Sequence, residues 1–137
     1  SYYSHLICFR LKKINKINTT ERKKIMGLFS FLGFGNINAG IEEFKRSENA
    51  YLIDVRTPME YKEEHIPGSK NLPLDNMKGI SSIVKDKSAN IFVYCLSGGR
   101  SAEAKHRLNQ LGYENVKNIG GIASYQGILE GRRYHAS

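Results

Sequence analysis

The chain predicts an α/β domain with a mostly parallel central sheet and helices on both faces. Three observations lead there. Short apolar runs alternate with stretches of helical spacing from about residue 39 onward, Gly and Pro mark the junctions, and 137 residues at 40% apolar and 25% charged suit one globular domain.

The elements follow in order. Residues 39–47 place Ile41 and Phe44 on one helical face, and Tyr51-Leu52-Ile53-Asp54-Val55 reads as a buried strand. Thr57-Pro58-Met59-Glu60 is a capping box with Pro at the first helical position, so a short helix is expected over 58–64. Ile66-Pro67-Gly68 is a turn, and 70–72 a short strand. Residues 76–86 carry Met77, Ile80, Ile83 and Val84 at helical spacing, and 91–95 form the next strand. A helix over 101–111 presents Ala104, Leu108 and Leu111 and ends at Gly112, and 116–119 form a further strand. A last helix is expected after Gly120-Gly121, with Ile122, Tyr125 and Ile128/Leu129 as its apolar face.

The formal charge of +8 is unevenly spread. Residues 1–25 hold seven basic side chains and one acidic, whereas the rest holds 14 basic and 12 acidic. The basicity therefore belongs to a leader, and the domain lacks the basic stripe with interleaved aromatics that tracks nucleic acid. The leader is rich in Tyr, Ile, Lys and Asn and stops just before Met26. Its Glu21-Arg22-Lys23-Lys24 run is what a purine-rich bacterial ribosome-binding site would encode, so a native start at Met26 is expected. An apolar segment, 26–38, follows; it is too short for a membrane span and lacks a small-x-small cleavage site. A cytoplasmic location is the expectation, with export as the alternative if that segment acts as a signal. The domain is placed at 39–132, with 133–137 as a tail.

Two cysteines, Cys8 and Cys95, make no disulfide framework, and the four scattered histidines have no zinc spacing, so no metal or cofactor is expected. Cys8 reads as incidental. Cys95 is different, because it ends an apolar strand and is followed by Leu96, Ser97, Gly98, Gly99 and Arg100 before a helix begins. The two glycines let several of those N–H groups turn toward one centre, and the helix adds its positive end. With Arg100 close by, Cys95 is expected to ionise below the ordinary thiol value of about 8.5. Ser101 starts the helix with a hydroxyl in reach. Asp54 and Arg56 read as a buried ion pair, His65 as a turn-stabilising hydrogen-bonder, and Glu103, Lys105 and Arg107 as a solvated helix face.

Residues 40–131 resemble a single-domain rhodanese, a sulfurtransferase module. The likeness rests on Asp54-Val55-Arg56, Glu60 and His65-Ile66-Pro67-Gly68 within 52–74, on the Cys95–Ser101 loop, and on the Gly120-Gly121 segment. Tyr125 stands where the family often has Trp. The resemblance implies that Cys95 takes a sulfane sulfur from a small donor such as thiosulfate, holds it as a persulfide, and yields it to a thiol, cyanide or protein acceptor. A relay or docking module serving a partner protein is the alternative. Phosphatases and arsenate reductases on a similar scaffold place five residues between Cys and Arg; the four here make a ring suited to one sulfur atom.

Overall fold

The computed structural model describes residues 36–135. The expected leader, the Met26 start, Cys8 and all but the end of the 26–38 segment lie outside the described residues. The sheet has four strands, β1 (Ala50–Asp54), β2 (Ser69–Asn71), β3 (Asn90–Cys95) and β4 (Val116–Gly121), in the order β2-β1-β3-β4. Every pairing is parallel, so all four strands end at one edge, where sheets of this kind place their sites.

Two cores lie on opposite faces because successive strand side chains alternate. Ile53, Val55, Ile91, Val93 and Cys95 join Met77, Ile80, Ala104 and Leu108 on one face. Leu52, Phe92, Tyr94 and Ile119 join Ile37 and Ile41 on the other. Among the described residues there are five α-helices: α1 (Ile37–Arg46), α2 (Pro58–Glu63), α3 (Ile80–Ile83), α4 (Gly99–Gln110) and α5 (Arg132–His135). Helix α1 supplies Ile37 and Ile41 to one core, α3 and α4 supply Ile80, Ala104 and Leu108 to the other. Cys95 thus points to the face that α4 covers.

Most expected elements form within one or two residues of their predicted bounds. Helix α1 starts earlier than expected, because the Asn36 side chain caps it by accepting from the N–H groups of Asn38 and Ala39. Two expectations are corrected. The helix over 76–86 is instead a 3₁₀ segment (Leu74–Gly79) joined to the short α3, since Asn76 leaves the helical region at φ −125°, ψ 42°. Met77, Ile80 and Val84 are buried all the same, so the apolar spacing reported burial rather than a continuous helix. No helix follows Gly121 directly; a three-residue 3₁₀ turn (Ile122–Ser124) gives way to extended backbone at Tyr125. Ile122, Tyr125 and Leu129 still pack on the α1-side core, whereas Ile128 is 81% exposed.

Candidate active site

Cys95 closes β3, and its loop turns at once into α4. Gly98 makes that turn at φ 111°, a conformation side-chain-bearing residues rarely adopt, and its N–H donates to Cys95 Sγ at 3.0 Å. The Leu96 carbonyl accepts from the Ala123 N–H at 3.1 Å. A trans peptide directs its C=O and N–H oppositely, so this anchor turns the Ser97 N–H toward the sulfur. β4 makes room for the loop: a Cβ on Gly121 would overlap the Leu96 carbonyl oxygen and lie 2.5 Å from Ser97 Cα.

Beneath the loop lies a polar knot. The buried Ser101 hydroxyl is 3.4 Å from Cys95 Sγ and 2.7 Å from Asn118 Oδ1. Asn118 Oδ1 also accepts from the Gly120 N–H at 3.0 Å, and its Nδ2 donates to the Gly98 carbonyl at 3.1 Å. These contacts fix the amide's orientation, since the reverse would face donor to donor and acceptor to acceptor. Asn118 therefore ties β4 to the residue whose N–H holds the sulfur.

Burial pushes the Cys95 thiol up, but the Ser101 hydroxyl, whose one hydrogen Sγ shares with Asn118 Oδ1, and the N–H groups of Ser101, Gly98 and Ser97 outweigh it, and the thiol lies below its ordinary value. Alkylation by neutral iodoacetamide should therefore show a midpoint below that of a free cysteine. In Ser101→Ala the midpoint should move up, and the rate at pH 7 should fall about 3–10-fold. An unchanged pH profile would remove Ser101 from the account.

Arg100 is engaged by Glu60. Its Nη1 and Nη2 donate to Glu60 Oε1 and Oε2 at 2.7 and 3.0 Å, a two-pronged ion pair across 40 residues of sequence. The same Oε1 accepts from the Thr57 N–H and hydroxyl, completing the expected capping box of α2. These contacts, the Arg100 hydrogen bonds foremost, overcome partial burial and hold the Glu60 carboxyl down at about 2.

Leu96 stands on the rim, 47% exposed, and Gly99 opens α4. Asp54 and Arg56 form a fully buried pair below the site, with Nη2 to Oδ2 at 2.7 Å; the Arg56 Nη2 also donates to the Glu64 carbonyl at 2.6 Å. His65 stacks on Tyr61 at 3.8 Å, with Nδ1 2.7 Å from the Tyr61 carbonyl and Nε2 3.2 Å from Glu130. It ties the turn to the C-terminal segment. Arg107 reaches Glu103 and the Leu74 carbonyl.

The sequence marks the thiol and its loop but not two of the contacts around them. Glu60 stands out as a helix cap and in the rhodanese resemblance, yet nothing local joins it to Arg100. Asn118 sat unremarked in a strand; a polar residue on a face otherwise built from Val116 and apolar neighbours was the available signal.

Cys95 thus sits in a cup of amides at the carboxyl edge of a parallel sheet, on a rhodanese-like α/β scaffold. The chain belongs to the rhodanese-like domain family, whose model matches residues 38–127. It is 44% identical over 73 residues to thiosulfate sulfurtransferase PspE of Escherichia coli (strain K12), covering 53% of this chain and 70% of that protein. It is 35% identical over 84 residues to the thiosulfate:glutathione sulfurtransferase of Saccharomyces cerevisiae, covering 53% of this chain and 60% of that one. Among solved structures it resembles a rhodanese with anions from E. coli, with a TM-score of 0.57 at 37% identity over 60% of this chain and 98% of that one.

Proposed function

We propose that this chain is a sulfurtransferase that works through a persulfide on Cys95. The observation that carries this reading is the Gly98 N–H held 3.0 Å from a sulfur whose thiol is depressed. The Cys95 thiolate attacks the outer sulfur of thiosulfate; an Sγ–S bond forms, the donor S–S bond breaks, and its electron pair leaves on sulfite. The new terminal sulfur is anionic, and N–H groups converging on that region stabilise it as an oxyanion hole stabilises developing charge. A thiolate or cyanide then attacks that sulfur and returns the Cys95 thiolate. The names of the two curated relatives, one pairing thiosulfate with glutathione, support this donor and acceptor class.

Intact-mass and peptide mass spectrometry after incubation with thiosulfate should find one added sulfur atom on Cys95, and none in Cys95→Ser. Sulfur gained only from a persulfidated protein would favour the relay reading. No gain from any donor would favour docking.

A further inference from the structure

We infer that Glu60 sets the donor charge this site accepts: by occupying both terminal nitrogens of Arg100, it disfavours dianionic donors relative to those with less charge beside the transferable sulfur. The inference rests on the sulfurtransferase reading above and names the substrate class of that site.

The amide donors from Ser97, Gly98 and Ser101 converge on Cys95 Sγ, so they hold the attacking sulfur and are already engaged there rather than free for the charged end of a donor. The cation built into the loop is Arg100. Its two-pronged contact with Glu60 presents a neutral pair to an arriving ion, and the sulfonate end of thiosulfate has to compete with a carboxylate for the same fork. Glu60 is an effective competitor because Thr57 holds it in place through two hydrogen bonds at the start of α2, so its position does not depend on Arg100 alone. The pair is nonetheless within reach of a small ion, with side-chain exposures of 36% for Arg100 and 31% for Glu60. A carboxyl held at about 2 stays ionised under any practical assay condition, so a competing anion rather than a proton opens the contact.

Glu60→Gln tests this with little change of shape. Gln serves a capping box as Glu does, keeps an oxygen for Thr57 and removes only the charge. Thiosulfate, a dianion, and benzenethiosulfonate, a monoanion that releases benzenesulfinate, are compared as donors with cyanide as acceptor, and mass spectrometry checks the persulfide on Cys95. In Glu60→Gln, kcat/KM for thiosulfate should rise about 3–5-fold while benzenethiosulfonate changes by less than about 2-fold, the scale of a partly exposed ion pair. Should the variant fail to fold, the wild-type chain carries the test: raising ionic strength with potassium chloride, which weakens the pair, should narrow its preference for the monoanion. A wild-type chain that takes sulfur from neither donor overturns the sulfurtransferase reading. A wild-type chain that takes it, with an unchanged donor ratio in Glu60→Gln or at high salt, overturns this inference alone.

Discussion

Gly121→Ala should slow sulfur uptake by Cys95 on the order of 100-fold, the usual cost of a displacement of about 1 Å at a reacting centre. The added methyl would overlap the Leu96 carbonyl oxygen and stand 2.5 and 2.6 Å from Ser97 Cα and the Leu96 carbonyl carbon. All three are backbone atoms, so no side-chain rotation relieves the contact. The loop has to move, and with it the Leu96 carbonyl bonded to Ala123 and the Ser97 N–H turned to the sulfur. Backbone conformation is not the obstacle, since Gly121 sits at φ −127°, which any residue adopts. Timed mass spectrometry with thiosulfate, beside a thermal melt, checks this. A folded variant within about 3-fold of wild type would show that β4 does not shape the cup.

Asp54→Ala should destabilise the domain by about 3–5 kcal/mol, the cost of leaving one member of a buried ion pair alone. Asp54 is 0% and Arg56 3% exposed. The Asp54 carboxylate accepts from the Arg56 backbone N–H at 2.9 Å as well as from Nε and Nη2. Removing it strands a guanidinium in the interior with the Glu64 carbonyl and the face of the Tyr94 ring, 6.0 Å away, as its remaining partners among the described residues. The pair as a whole is worth far less than this, because desolvation offsets most of its attraction, so Asp54→Leu/Arg56→Met should recover much of the loss. Urea unfolding of both variants gives the comparison; a single-variant cost below about 1 kcal/mol would contradict the burial argument. Activity should suffer too, since Arg56 grips the C-terminal end of α2, the helix that presents Glu60.

The residues that local rules govern were readable in sequence. Thr57 and Glu60 announced α2, the apolar run into Cys95 announced β3, and Gly98-Gly99 announced a tight turn. Where the reading failed, local pattern had two physical solutions. Ile122, Tyr125 and Leu129 face one core from a 3₁₀ turn and extended chain, at a spacing that a helix would also give. The partners of the site were illegible for a different reason. Glu60 meets Arg100, and Asn118 meets Gly98 and Ser101, only because the order β2-β1-β3-β4 brings them to one edge. No periodicity encodes a contact between elements.

The placement of β4 bears on when the thiol becomes reactive during the making of the chain. A polypeptide leaves the ribosome N-terminus first, and pairings distant in sequence form late. Cys95 emerges before Asn118, Gly121 and Ala123, the residues that pin its loop from β4 and the turn after it. Until β4 docks against β3, the knot beneath the sulfur is open and the loop that aims the Ser97, Gly98 and Ser101 donors at Cys95 lacks its anchors. The geometry of the thiol is thereby tied to completion of the fold, and a nascent or truncated chain ending before Val116 carries Cys95 and its donors without the residues that hold them in place.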